Sequence, residues 1–437
     1  MDARSVATQI LTQVIGHRRS LSDCLDTHLK SLSDARERAL AQALCYGVLR
    51  WLPRLQALLQ RLLRKPLKST DCDIQALLLI GLFQTLYLRI PPHATAATVN
   101  VTRQLQKPWA TALVNAVLRN FQRQRETLLT SVDADISVKL AHPPWLLKCL
   151  QTDWPTQWET IAAANNAHPP LTLRVNARFM SRDAYFEHLL KAKIAAIPTP
   201  YTDCGITLEH PVDVQQLPGF TQGWVSVQDG AAQLAAALLD VPVGARVLDA
   251  CAAPGGKTAH LLEHYEVYTL LALDNQPARV QKLHDTLQRL HLSAQLRCAD
   301  ASQPDTWWDG QLFERILLDV PCSGSGIIRR HPDIKHLRQP SDIGTLTAQQ
   351  ARLLEALWPL LKPGGKLLYV TCSVFAEENY LQIQQFLATH AEATEIGLAA
   401  DWGYAQKYGR QILPGENNLD GFYYACLSKE NIPTSLL

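Results

Sequence analysis

Residues 247–258 read Val-Leu-Asp-Ala-Cys-Ala-Ala-Pro-Gly-Gly-Lys-Thr. A short apolar run ends in an acid, passes through Pro254-Gly255-Gly256 and restarts at Lys257 as an amphipathic pattern. That order spells a strand, a tight turn and a helix N-terminus. Glycine lets a backbone approach a ligand closely, and free N–H groups at a helix start favour electron-rich atoms. Such turns hold nucleotide-like ligands at the carboxyl edge of a parallel sheet. Two familiar phosphate loops fail on spacing. A Walker loop needs glycine five positions before the glycine of Gly-Lys-Thr, where this chain has Cys251. The dinucleotide fingerprint Gly-x-Gly-x-x-Gly is excluded because Gly255 and Gly256 adjoin. A nucleoside cofactor without a polyphosphate fits better.

Outward from this stretch, strands and helices alternate from Ser226 onward. Further strands are expected at Thr269–Leu273, Ala294–Cys298, Arg315–Leu318 and Lys366–Val370. Helices are expected from about Pro277 and from about Leu346 to Leu361. Apolar strands in repeated βα units imply a parallel sheet covered on both faces. Leu419 to Tyr424 predicts a turn and a last strand that closes the sheet. Upstream, Leu171–Val175 and Ile206–Leu208 suit strands, and Ser181 can cap a helix to about Ala192, so a small α+β module is expected. From Arg4 to about Gln124 apolar residues recur at helical spacing, as in Leu55, Leu58, Leu59, Leu62 and Leu63, and prolines 53, 66, 91, 92 and 108 punctuate five or six helices. The expected domains are a helical bundle over 1–140, an α+β connector over 141–225 and an α/β Rossmann-like domain over 226–437.

The net charge of +2 conceals an asymmetry. Residues 1–130 carry 18 Lys+Arg against 8 Asp+Glu, a balance of +10, and the remainder carries 24 against 32, a balance of −8. Arg18, Arg19, Arg36, Arg38, Arg61, Arg64, Lys65 and Lys68 supply much of the excess, which points to a polyanionic partner, nucleic acid being the common one. Ten cysteines are scattered without a Cys-x-x-Cys pair, so no metal site is expected. Early charges at Asp2 and Arg4 argue against a signal peptide, and Ala76 to Leu88 is too short to span a bilayer. A cytoplasmic, monomeric protein with free thiols and no membrane association is expected.

The strand ends carry the chemistry. The second strand stops at Asp274, placed to accept hydrogen bonds from a ribose diol, and the third stops at Asp300, which can face the base of the same nucleoside. Each aspartate alone also suits a turn or a helix cap. The fourth strand ends Asp319-Val320-Pro321-Cys322-Ser323-Gly324 and the fifth ends Tyr369-Val370-Thr371-Cys372-Ser373, so two cysteines reach one rim. A thiolate that adds to carbon 6 of a pyrimidine makes carbon 5 nucleophilic enough to attack an electrophilic methyl group. A carboxyl group bonded to the ring's polar edge stabilises the developing charge.

Asp249–Thr258, Asp319–Gly324 and Thr371–Ser373, followed by Glu378-Asn379, resemble RNA cytosine-5 methyltransferases of the Sun/Fmu/NOL group, the RsmB/NOP family. The N-terminal part is similar to the RNA-binding fold of the antitermination factor NusB, and Arg329-Arg330-His331-Pro332-Asp333-Ile334-Lys335 matches the ribosomal-RNA branch of the family. The resemblance implies S-adenosyl-L-methionine contacts from Cys251, Ala252, Ala253, Pro254, Gly255, Gly256 and Lys257, with Asp274 on the ribose, Asp300 on the adenine side and Asp319 between cofactor and target base. It implies Cys372 as nucleophile and Cys322 in product release. Residue chemistry alone does not choose between the two sulfurs. The implied substrate is 16S ribosomal RNA, at cytosine 967. Arg329, Arg330 and Lys335 are candidate contacts to phosphates beside a flipped-out cytosine. Val320 departs from the family's usual alanine. Two other readings remain open at this point: a transfer RNA methyltransferase with the same site, and a non-catalytic RNA-binding assembly factor.

Overall fold

The computed structural model describes residues 2–88 and 93–430; Pro91 and Pro92 lie outside them. Tertiary contacts divide the chain into two compact units. The first runs to His168 and also takes in Ile328–Pro340; the second holds Pro169–Ile327 and Ser341–Leu437.

The first unit is helical. Up to Arg123 the described residues form seven α-helices rather than five or six: Ala3–Leu11, Leu21–His28, Ala35–Arg50, Leu52–Leu62, Cys72–Tyr87, His93–Gln104 and Ala110–Arg123. Not every break needs a proline. Asp34 caps one helix by accepting from the Arg36 N–H, and the break at Trp51 puts Pro53 in the first turn of the next, where its missing N–H costs nothing. Leu55, Leu58 and Leu59 are buried as their spacing predicts. Helix Cys72–Tyr87 is apolar all round and runs through the core, with every residue from Ala76 to Gln84 buried. It lies so close to Ala35–Arg50 that a Cβ on Gly47 would fall 1.9 Å from the Phe83 ring, a position only glycine fills.

By its contacts this unit runs on through His168. Helices Pro144–Asp153 and Trp158–Asn166 belong to it, joined by buried polar contacts. Asn165 Nδ2 lies 3.2 Å from His142 Nε2, and Asn166 Nδ2 donates to the Leu140 carbonyl at 2.6 Å.

The second unit contains both sheets. The smaller joins β1 (Thr172–Val175), β2 (Ala196–Pro198), β3 (Gly205–Leu208) and β4 (Val225–Val227), antiparallel, in the order β2-β3-β1-β4. Ser181 caps helix Arg182–Lys191 as expected, and Tyr185 and Leu189 bury its inner face. The larger sheet holds β5 (Arg246–Ala250), β6 (Thr269–Asp274), β7 (Gln295–Cys298), β8 (Phe313–Asp319), β9 (Leu361–Thr371), β10 (Ala393–Ile396), β11 (Tyr404–Ala405), β12 (Arg410–Ile412) and β13 (Phe422–Lys429).

Its order is β11-β12-β13-β9-β8-β5-β6-β7, with β10 also on β13. The strands from β9 to β7 in that order are parallel, and their central members are apolar on both faces. The last strand does not close the sheet. β13 lies antiparallel between β9 and β12, so the sheet is mixed, and β13 with the short strands β10, β11 and β12 extends it beyond the parallel part. From β5 the chain goes one way to β6 and β7, then returns to β8 on the other side. The carboxyl ends of β5 and β8 therefore flank a topological switch point, where open α/β sheets bind ligands.

Candidate active site

The turn after β5 is built for close backbone approach. Cys251 has φ +63° and Gly255 has φ +99° at the N-cap of helix Gly256–His264. A side chain on Gly255 would be strained by that φ and would meet Leu283 at 2.6 Å. Outward bonds hold the loop. The Ala252 N–H donates to the Leu273 carbonyl at 2.7 Å, and the carbonyls of Ala253 and Pro254 accept from Arg279 and Thr286, each at 2.9 Å.

Asp249, at the end of β5, is fully buried. Its Oδ2 accepts from Thr258 Oγ1 at 2.6 Å while its Oδ1 has no partner, and burial pushes its carboxyl up to about 7. Burial, then the charges of Asp319, Asp274 and Asp249, push the Cys251 thiol far above the ordinary range, so this cysteine stays a neutral wall of the cleft.

The predicted rim residues converge. A cleft is lined by Cys251, Asp274, Arg279, Asp300 and Pro321, among others. Asp274 ends β6 and accepts from the N–H groups of Ala253 at 3.4 Å and Gln276 at 3.2 Å. Asp300 lines the same cleft and also closes a turn, accepting from the N–H and the hydroxyl of Ser302 at 2.9 and 2.8 Å. Asp319 ends β8, 30% exposed, and pairs with Lys257 at 2.6 Å. Burial opposes the Lys257 charge, yet Asp319, Cys372 and Asp249 hold its ammonium above the ordinary lysine value, with the Phe422 ring 5.2 Å away.

Cys322 and Cys372 meet. Their sulfurs are 3.3 Å apart, one following β8 and the other following β9. The hydrogen bond to Cys372, then burial, then the charges of Cys372 and Glu378 hold the Cys322 thiol well above its ordinary value. Val320 faces the apolar cluster under the sheet, 3% exposed, so its extra methyl groups are absorbed by the core.

The basic motif behaves otherwise. Arg329 and Lys335 are buried at 2% and 1% exposure, and only Arg330 is partly open. Lys335 Nζ donates to the carbonyls of Arg50 and Ala141 at 2.7 and 2.8 Å and to Asn166 Oδ1 at 2.9 Å. Its three N–H directions are spent inside the helical unit, which corrects the expectation of a phosphate contact. The Arg329 carbonyl accepts from Arg50 Nη2 at 2.7 Å, and Asp333 Oδ2 accepts from the Leu21 N–H at 3.0 Å. Arg18, Arg19, Arg36, Arg61, Arg64, Lys65 and Lys68 remain exposed on the same unit.

Sequence reading missed Arg174 and Glu263. The fully buried Arg174 on β1 bonds both Glu263 oxygens at 2.8 Å, the Gly256 carbonyl at 2.8 Å and Gln228 Oε1. The smaller sheet thereby fixes both ends of the helix that follows the cofactor turn. Nothing local in the sequence pairs residues 89 positions apart.

Among the described residues, Cys204, His260 and His264 bring donor atoms within 4.8 Å of one another. Burial pushes the Cys204 thiol up to about 11, and burial with the nearby Arg174 pushes His260 well below its ordinary value. The 3.9 Å approach of Cys204 Sγ to His260 Nε2 is a contact between neutral groups.

The donor set of the cleft fits a cationic nucleoside. Asp274, Asp300 and Asp319 outnumber Lys257 and Arg279, and two of the acids line the cleft where a diol and an amine can bind. The family model described as 16S rRNA methyltransferase RsmB/F matches residues 236–428. That of the RsmF/B-like ferredoxin-like domain matches 142–215, and the NusB family model matches 1–123. A ribosomal RNA small subunit methyltransferase B of Pseudomonas putida is 51% identical over 431 residues, 98% of this chain and 99% of that relative. One of Vibrio cholerae is 46% identical over 432 residues, 99% and 98% of the two chains. The crystal structure of PH0851 superposes with a TM-score of 0.83 at 21% identity over 98% of this chain and 99% of its own, a likeness of fold. That of a methyltransferase homolog protein from Pyrococcus horikoshii has a TM-score of 0.57 at 27% identity, covering 66% of this chain and 99% of its own.

Proposed function

This chain belongs to the 16S rRNA methyltransferase RsmB/F family, with S-adenosylmethionine as its cofactor, and on that premise we propose that it methylates carbon 5 of a cytosine in 16S ribosomal RNA through a covalent bond to Cys372. Bound in the cleft, S-adenosylmethionine would supply the electrophilic methyl group, its sulfonium sulfur taking the electrons of the broken S–CH3 bond and leaving as neutral S-adenosylhomocysteine. Cys372 adds its thiolate sulfur to carbon 6, and the carbon 5–carbon 6 electron pair moves to carbon 5, which takes the methyl group. The carbon-5 proton then passes to water, the double bond re-forms and the sulfur departs. Cys322 assists that departure, because its thiol can donate a hydrogen bond to the leaving sulfur. Asp319, oriented by Lys257, holds the polar edge of the base. The exposed basic residues of the helical unit take phosphates, which bind any sequence and position the RNA.

The observation that carries this reading is the 3.3 Å approach of the two sulfurs beside the Lys257–Asp319 pair. The test is incubation with labelled S-adenosylmethionine and 16S ribosomal RNA, followed by mapping of the modified base. Label on carbon 5 of one cytosine, lost by about a thousandfold or more in Cys372→Ala, is expected. Label on another atom, or an active Cys372→Ala, would overturn it.

A further inference from the structure

Helix Gly256–His264, which follows the cofactor turn, carries two histidines four residues apart. At that spacing both imidazoles stand on one face, His260 buried and His264 exposed, with ring centroids 5.0 Å apart. Cys204, which leads into β3 of the smaller sheet, comes to the same face and sets its Sγ 3.9 Å from His260 Nε2. One donor atom from each of the three lies within 4.8 Å of the other two. The set carries no Cys-x-x-Cys signature, because its cysteine stands 56 residues before the nearer histidine.

These side chains are not spent elsewhere. Among the described residues, no hydrogen bond or ion pair holds His264, which touches only the His260 and Tyr265 rings. His260 Nδ1 has no partner, and its Nε2 meets the Cys204 sulfur. Glu263, between the two histidines in sequence, is committed: its two oxygens bond Arg174 at 2.8 Å. That pair also neutralises Arg174, so the guanidinium does not repel a cation beside His260.

We propose that Cys204, His260 and His264 form a binding site for a zinc-class ion, with one thiolate and two imidazoles as ligands and water in the fourth position. Sulfur and imidazole nitrogen suit zinc, whereas magnesium and calcium take oxygen ligands. Tetrahedral zinc, with bonds of about 2.0–2.3 Å, sets its donors about 3.3–3.6 Å apart. The 3.9 Å sulfur–nitrogen pair is close to that, and His264, exposed in the last turn of its helix, rotates to close the rest. His264 also lines an open groove with Tyr265 and Glu266, which admits the ion and leaves room for the water. On binding, the Cys204 thiol gives its proton to solvent and the sulfur donates its lone pair to the metal; nothing is oxidised. The ion clips the smaller sheet to the helix after the cofactor turn, the same two elements that the Arg174–Glu263 bridge joins. The site is independent of the chemistry proposed for Cys322 and Cys372.

Cobalt(II) is the probe, because its tetrahedral complexes absorb visible light and a thiolate ligand adds a charge-transfer band in the near ultraviolet. Full-length protein freed of metal with a chelator is titrated with Co2+ and then with Zn2+. One equivalent of Co2+ is expected to bind with a Kd of about 10 µM or tighter, and Zn2+ should displace it. His264→Ala, a change at an exposed position, should weaken Co2+ binding about tenfold or more. Cys204→Ala should abolish the charge-transfer band; if that variant does not fold, His264→Ala decides. The band should persist in Cys322→Ala, which breaks up the other close approach of sulfurs. Saturating Zn2+ should raise the Tm of the parent, and that of His264→Ala by less. No visible band, a band that survives in Cys204→Ala or is lost in Cys322→Ala, or equal affinity in His264→Ala would overturn the proposal.

Discussion

Two lysines in sequence motifs, Lys335 in the helical unit and Lys257 in the α/β unit, show how differently one residue type is used. Lys335 is surrounded by neutral oxygens, two carbonyls and one amide. Burial and the Arg50 charge push its pKa well below the ordinary lysine value. Lys257 faces a carboxylate, and its pKa is held above the ordinary value. The first lysine satisfies an interior and has no direction left for a ligand. The second keeps its partner Asp319 at a cleft that opens to solvent. What separates a structural cation from a site cation is where its partners' remaining valences point.

The largest effect that would break this contrast is on Lys335→Met. Removing the ammonium leaves three buried acceptors facing a methyl group, and a loss of about 3–5 kcal/mol in denaturant unfolding is expected. A cost below about 1 kcal/mol would show that the segment is only loosely attached. Lys257→Met should act on turnover instead. Asp319 loses its orienting partner, so kcat should fall by roughly 10- to 100-fold, with thermal unfolding changed little. A variant that unfolds but turns over normally would reverse the assignment.

A third and smaller effect sharpens the comparison with a buried acid that no cation neutralises directly. The Asp249 carboxyl lies at about 7 in the fold, above the ordinary unfolded aspartate value. The folded state therefore binds the proton more tightly. This stabilisation is complete below the unfolded value and is lost as pH rises through about 7. Asp249→Asn has no proton to lose, so its stability relative to the parent should rise by about 2–3 kcal/mol between pH 5 and pH 8. A difference that does not change with pH would mean the carboxyl is ionised in the fold.

The parallel half of the large sheet was legible in the sequence, because buried βα units write continuous apolar strands with acids at their ends. Asp274, Asp300, Asp319, Cys322 and Cys372 come together where those ends predict. The antiparallel extension β10 to β13 was not legible beyond its last strand: β11 and β12 are two and three residues long, and only their pairing defines them. Extra helices in the first unit were missed because caps such as Asp34 break a helix without proline or glycine. Lys335 was misread because a basic motif looks the same whether its charges face phosphates or carbonyls. The partners of Lys335 lie between 169 and 285 residues away in the chain, out of reach of any local pattern. Glu378 was visible as a motif letter, but the Ser323 and Ser373 donors that meet it come together only once two loops fold over it.

The most direct test of the account is to mix Cys322→Ala with S-adenosylmethionine and 16S ribosomal RNA, denature the mixture and sequence any RNA-linked peptide. The account predicts an adduct that survives denaturation, with the nucleotide attached to Cys372. Normal product release with no adduct, or attachment through any other residue, would contradict it.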